Sequence, residues 1–305
     1  MIALVAFMAA APHATVLRDV SQTMNPHLLN AWRFGLAAIV TLPWVLKRNK
    51  KLTRNGLMYS LLAGFGLTIS AVTFIYALAT SQASYVNMLL LLSPAFLMVY
   101  SIKLDGEKVR PSALTGFFVA AVGALVMTAF PLIFSNKNIP VFPVATTLLI
   151  INAAVYPLVT MSYKWATVRE KIPLPIIICI STGMVSVVSL VLWGISGHEL
   201  PASLTGQHYA ALIYSGVVVI CTAKLVTVAA FRFIGASAIS VLTYLETFVA
   251  VLLSVLILKE TITPTMIAGG LIILLGVIIV QQRVSAKRAS KQFRHHLRRL
   301  SKNFT

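Results

Sequence analysis

Ten long apolar stretches follow one another through this 305-residue chain, separated only by short polar connectors. They fall near 1–18, 26–46, 56–78, 83–102, 112–134, 141–163, 173–194, 209–231, 236–258 and 264–282. A bilayer core about 30 Å thick takes roughly 20 apolar residues of helix to cross, and each stretch approaches that length. The connectors carry turn and helix-breaking chemistry, as in MNP at 24–26, KRNKKLTRNG at 47–56, DGEKVRP at 105–111, SNKNIP at 135–140 and SGHELP at 196–201. None has room for an extramembrane domain. Hydrophobic residues make up 58% of the chain and charged residues 10%, too few polar groups to wet the surface of a soluble globule. The opening MIALVAFMAAAPHATVL has no basic segment before it and is followed by more apolar sequence, so it reads as a first span rather than a cleaved leader. The fold expected is an all-α membrane protein with ten transmembrane helices.

Lys and Arg number 25 against 7 Asp and Glu, and where they fall matters more than their excess. With the N-terminus inside, one side of the membrane holds Lys47, Arg48, Lys50, Lys51 and Arg54; Lys103, Lys108 and Arg110; Lys164, Arg169 and Lys171; Arg232; and eight basic residues of the tail. The other side holds only Arg18, Lys137 and Lys259. This asymmetry places both termini in the cytoplasm of a multi-pass protein of the cell membrane. It also accounts for the net charge of +18 without a nucleic-acid partner. The basic tail 283–305 carries Phe293, Leu297 and Leu300 at helical spacing, which suits either the inner leaflet or a solvated tail. The two cysteines, Cys179 and Cys221, lie inside apolar runs and are expected to pack as small hydrophobes, with no metal or cofactor implied.

Displacing the chain against itself by 153 residues aligns 83–127 with 236–280 without a gap. Identities fall at Ala83/Ala236, Ser84/Ser237, Leu89/Leu242, Leu92/Leu245, Ser101/Ser254, Glu107/Glu260, Pro111/Pro264, Gly116/Gly269 and Gly123/Gly276. The Glu, Pro and two Gly matches combine unrelated propensities, which sets them apart from chance apolar matches. Two repeats of five helices follow, 1–134 and 141–282. Because five is odd, the second must enter the membrane upside down. Inverted repeats characterise alternating-access carriers, with a site near the midplane.

These residues resemble the drug/metabolite transporter superfamily, in its EamA-type ten-helix branch. Both halves carry an Ala-Ser step, a central helix, a turn with Glu and a glycine-spaced helix. They read TSQASYVNMLLLLSPAF and LDGEKVRPSALTGFFVAAVG in the first half, FIGASAISVLTYLETFVAVLLSVLILKETITPTMIAGGLIILLG in the second. NPHLLNAWRFGLAAIV adds the family's usual Pro and Arg at Pro26 and Arg33. The chain departs from the family pattern by lacking a Trp-Gly pair near Ala10–Ala11. It also has Thr247 where the first half has Pro94, and Lys259 in place of glycine before Glu260. The resemblance implies a transporter, with Arg33 facing the cavity and attracting groups such as a carboxylate.

A charge in mid-membrane costs about 2.5–3.5 kcal/mol on insertion scales, which makes Arg33, Lys224 and Glu246 functional candidates. Lys224 and Glu246 lie at similar depth, so they either pair as a brace between helices or line a cavity for a charged or zwitterionic substrate. Arg33 either snorkels to the interface or faces that cavity. Tyr76, Asn87, Asn152, Tyr156 and Tyr244 complete a possible substrate pathway, each with interhelical hydrogen bonding as its plainer reading. His13, beside Pro12, reads as a polar interface group. Pro94 and Pro157 each leave a helix carbonyl without a partner and form candidate hinges. Gly116, Gly123, Gly269 and Gly276 read as packing or dimer surface, and Glu107 and Glu260 as helix-terminus caps.

No Walker A, HExxH, CxxC or Gly-x-Ser-x-Gly motif occurs, which weakens an ATP-driven pump and a membrane enzyme. The function expected is a secondary transporter, and an exporter, of small polar metabolites such as amino acids. A substrate gradient, a proton gradient or exchange would supply its energy. A membrane-embedded enzyme and a passive channel are the alternatives.

Overall fold

The computed structural model describes residues 2–47, 52–105, 111–128, 142–197, 200–201, 204–226, 236–276 and 278–279. Glu107, the Tyr244 and Pro94 side chains and the tail 283–305 lie outside the described residues. Every regular element among the described residues is helical. In chain order they are α1 (Ile2–Ala10), α2 (His13–Thr23), α3 (Pro26–Leu46), α4 (Arg54–Thr80), α5 (Ala83–Leu90), α6 (Ser93–Asp105) and α7 (Pro111–Thr128). After these come α8 (Pro143–Lys164) with a π-turn π1 (Trp165–Arg169), then α9 (Leu174–Ile195). The last are α10 (Gly206–Ile213) running into π2 (Tyr214–Ala223), α11 (Ala236–Leu258) and α12 (Pro264–Gly276). Among the described residues five helices are long and apolar enough to cross a membrane: Pro26–Leu46, Arg54–Thr80, Pro143–Arg169, Leu174–Ile195 and Gly206–Val226.

Local sequence explains the boundaries. Asn25 accepts a hydrogen bond from the His27 amide at 3.0 Å and Pro26 opens α3, joining an N-cap to a proline at the first helical position. Thr53 caps α4 by accepting from the Gly56 amide at 3.1 Å. Two expected spans differ from the reading as single helices. The first breaks at Ala11–Pro12 and runs on to Thr23 rather than ending at 18, and the fourth breaks at Leu91–Leu92. A proline has no N–H to give the carbonyl four residues back and its ring crowds that carbonyl. Pro12 and Pro94 both sit at such breaks, whereas Pro157 is buried inside the unbroken α8.

Close packing rests on small residues. α3 lies along α9, where Ser186 donates to the Ala31 carbonyl at 2.9 Å and a Cβ on Gly35 would come within 2.9 Å of Ser186 Oγ. α4 packs on α8 and α9 and buries Ala63, Leu67 and Ala71 with Val159, Ile177 and Val185. α7 and α12 meet through glycine. A Cβ on Gly123 would lie 2.7 Å from the Gly269 carbonyl oxygen and 2.6 Å from the Ile273 nitrogen. One on Gly276 would lie 2.6 Å from the Gly116 carbonyl oxygen and 2.4 Å from the Ala120 nitrogen. Rising numbers on one helix meet falling numbers on the other, so the two run antiparallel. The 153-residue register also exchanges the two sets of contacts.

The connections gather at two ends. Residues 24–25, 81–82, 196–197, 200–201, 204–205 and 259–263 lie at the Glu260 end, and 47 and 52–53 with 170–173 at the Glu170 end. At the Glu260 end, His208 Nε2 meets Asp19 Oδ2 at 2.9 Å. At the other, Thr53 donates to Glu170 at 2.6 Å.

Candidate functional site

Arg33 is the largest of the charged side chains driven into the core, 2% exposed on α3. It does not snorkel to the interface. Its Nε donates to Asn30 Oδ1, one turn back, at 2.9 Å. The guanidinium lies 4.9 Å from the ring centre of Phe34 and 5.7 Å from that of Phe74 on α4. Phe74 stacks on His13 at 5.5 Å with an interplanar angle of 4°. His13 is the first residue of α2, at the break in the first span, and its Nε2 lies 3.0 Å from Ser215 Oγ in π2. A broken helix and a π-segment thus meet beside a buried cation.

No carboxylate pairs with Arg33 among the described residues, and the Asn30 Nδ2, in a fully buried side chain, has no partner. A buried polar group normally finds one, so this amide, beside the Arg33 guanidinium, is an unmet demand for an acceptor. Gly216 brings π2 against this cluster, since a Cβ there would stand 2.5 Å from the Arg33 carbonyl oxygen.

Lys224 lies deeper. Gly216 stands level with the Arg33 backbone and Lys224 follows eight residues on, so at no more than about 1.5 Å per residue the two levels are roughly 10 Å apart along the bundle. The Lys224 ammonium donates to the Tyr156 hydroxyl at 2.6 Å and sits 4.6 Å from the Tyr156 ring centre and 5.3 Å from that of Tyr163. Tyr163 is held by Ser181 at 2.8 Å. Glu246 on α11 is half-buried and within electrostatic range of Lys224 and Tyr214. Lys224 bonds Tyr156 rather than the Glu246 carboxylate, so the direct pairing open to the two by depth is not the arrangement found. Tyr214 donates to the Ala9 carbonyl, at the end of α1 left free by the break.

The remaining candidates are spread out. Asn152 bridges α8 to α4, donating to the Ser70 carbonyl at 2.6 Å and lying 3.2 Å from Thr73 Oγ1. Tyr76 meets His27 Nε2 at 3.2 Å, toward the Glu260 end. Asn87 on α5 has a buried Nδ2 without a partner. Sequence reasoning did not single out Asn30, Phe74, Tyr163 or Ser215. Asn30 had a legible signal, an amide three residues before Arg33 on the same helix face. The others had none, being an aromatic and two hydroxyl residues in apolar runs. Cys179 is half-buried and Cys221 buried, both as free thiols.

The EamA-like transporter family matches residues 1–129 and 143–281, once in each half of the chain. A protein of Clostridium kluyveri described only as an uncharacterized transporter is 22% identical over 264 residues, covering 84% of this chain and 83% of its own. A crystal structure whose description names no function superposes with a TM-score of 0.62 at 17% identity, covering 92% of this chain and 97% of that one. That likeness speaks for the fold alone. The family match takes in most of the sequence and repeats within it: the chain belongs to the EamA-like transporter family.

Proposed function

We propose that this protein is a secondary carrier of the cytoplasmic membrane which exports small polar metabolites such as amino acids by alternating access. In this reading ten spans form two inverted five-helix repeats, both termini are cytoplasmic, and the Glu260 end faces outward. The observation that carries the substrate class is Arg33, a buried guanidinium flanked by aromatic rings, with the unpartnered Asn30 amide beside it. A carboxylate accepts from both and offsets the cost of burying the cation. The ring of Phe74 and the stacked His13 suit an apolar or aromatic body next to that carboxylate.

The reciprocal glycine contact between α7 and α12 supports the inverted repeat. A twofold operation that exchanges antiparallel helices has its axis perpendicular to them, which for membrane-crossing helices is the membrane plane. The same contact uses Gly123 and Gly276 inside one chain, so a homodimer would need another surface. The Lys224–Tyr156 station, with Glu246 in range, suits a second contact for a charged group on the way through. No ATP-binding motif is present in the sequence, and a proton gradient or exchange is the proposed energy source.

Flux into proteoliposomes separates the readings. A panel of labelled amino acids, organic acids and amines is offered with and without a proton gradient and with unlabelled solute inside. The expected result is saturable uptake of a carboxylate-bearing class, accelerated by internal solute and reduced at least tenfold by Arg33→Gln. Non-saturable flux without exchange would indicate a channel, and chemical conversion of the solute an enzyme.

A further inference from the structure

At the Glu260 end, where Asp19 of the first half already meets His208 of the second, a carboxylate of the second half caps a helix of the first. Glu260 Oε1 accepts from the Ala83 amide at 2.7 Å, and Oε2 accepts from the Ser84 amide at 2.8 Å and the Ser84 hydroxyl at 2.6 Å. These amides open α5, a helix whose own preceding residue, Gln82, makes no side-chain cap. The cap therefore comes from 176 residues further along the chain, in the second repeat. A carboxylate on free helix-start amides forms charge-assisted bonds and meets the positive end of the helix dipole.

Three features make this contact a movable joint rather than a static brace. α5 is a half-helix, separated from α6 by the break at Leu91–Leu92, so it can tilt without dragging α6. Glu260 stands on a non-helical connection whose preceding residue, Lys259, holds a left-handed φ of 53°. That conformation ends α11 and turns the chain toward α5, and the sequence repeat has Gly106 at the equivalent position. Arg18, within electrostatic range of Glu260, donates to the last carbonyls of α4 at Leu78 and Ala79. It ties the first span and the end of α4 into the same junction.

We propose that Glu260 is the latch of one gate: its bonds to Ala83 and Ser84 hold the two repeats together at the Glu260 end, and they break when that end opens. The proposal rests on the carrier reading above. Its strongest support is in the sequence register, because all three latch residues recur at an offset of 153, as Ala236, Ser237 and Glu107. Glu107 lies outside the described residues, and the inference for it comes from the repeat alone. In an inverted repeat the same three residue types serve the opposite gate, so a carrier has one latch for each side. Weakening either latch shifts the population toward the conformation open at that end.

The test uses the full-length protein with Cys179 and Cys221 replaced by Ala and a reporter Ser215→Cys beside His13 and Arg33. A membrane-impermeant maleimide is applied from either side of vesicles of known orientation. Glu260→Ala is expected to raise the labelling rate from the Glu260 side at least fivefold and to lower it from the other side. Ser84→Ala, which removes one bond of three, should give a smaller change of the same sign. Glu107→Ala should give the reverse asymmetry. Equal rates in Glu260→Ala and its parent would overturn the proposal. So would acceleration from both sides together with a lowered melting temperature, which identifies a brace. A parent reporter labelled rapidly from both sides at once, or an unsubstituted protein without exchange flux, would instead overturn the carrier reading.

Discussion

At the scale of single residues, the two buried cations meet their burial cost in different ways. Lys224 has a hydroxyl at 2.6 Å and two ring faces, which satisfy an ammonium without a counter-charge in contact. Arg33 has a hydrogen bond to Asn30 and two rings beside its guanidinium, with no carboxylate against it among the described residues. Lys224→Met and Glu246→Gln are each expected to lower flux at least tenfold while the melting temperature in detergent stays within a few degrees. Normal transport by both variants would remove them from the pathway. Tyr156→Phe deletes only the acceptor of the Lys224 ammonium and should weaken apparent substrate affinity more than maximal rate. The charged residues were legible because a charge in an apolar run stands out, and three such positions are few enough to name. Their partners were not legible: a Phe, a Ser or a Tyr in an apolar helix is ordinary, and only the crossing of α2, α3, α4 and π2 brings His13, Arg33, Phe74 and Ser215 together.

At the scale of elements, helix existence follows from apolar length, and the breaks follow from proline chemistry. Pro12 and Pro94 stand at interruptions, but Pro157 does not, because a proline's cost can be absorbed when neighbouring helices hold the segment. The π-segment Tyr214–Ala223 has no comparable sequence signal, since a slightly wider turn leaves no mark in the stretch YSGVVVICTA. Its register is enforced from outside by Gly216 against the Arg33 backbone. Gly216→Ala places a methyl 2.5 Å from a carbonyl oxygen that no rotamer can move, so a destabilisation of about 1–3 kcal/mol with loss of flux is expected. Gly123→Ala and Gly276→Ala should each cost a similar amount, because their contacts are reciprocal. Gly183→Ala is the control: its nearest neighbour is 3.9 Å away, and Ala favours the helix by about 0.5–1 kcal/mol. Thermal unfolding of the four variants in one detergent checks the ordering. A Gly276→Ala protein as stable as Gly183→Ala would mean that α7 and α12 do not meet as described.

At the scale of the whole molecule, orientation is the property that binds the repeats to function, and it depends on the parity of crossings. Thr53 and Ser196 are exposed at opposite ends of the bundle, and in the proposed ten-span topology α4, the α5–α6 span, α7, α8 and α9 lie between them, an odd number of passes. In the same topology Ser196 and the exposed Thr261 are separated by the α10–π2 span and α11, an even number. The basic residues of the 47–54 connector should hold Thr53 in the cytoplasm. In a chain with Cys179 and Cys221 replaced by Ala, Ser196→Cys and Thr261→Cys should react with an impermeant maleimide in intact cells. Thr53→Cys should react only after permeabilisation. If Thr53→Cys and Ser196→Cys reacted from the same side, one span between them would not cross. The two repeats would then enter the membrane in the same sense, and the glycine contact of α7 with α12 would no longer carry a twofold axis in the membrane plane. If all three followed the expected pattern, the Glu260 latch would lie on the outer face, where its release admits solute from outside or lets exported solute go.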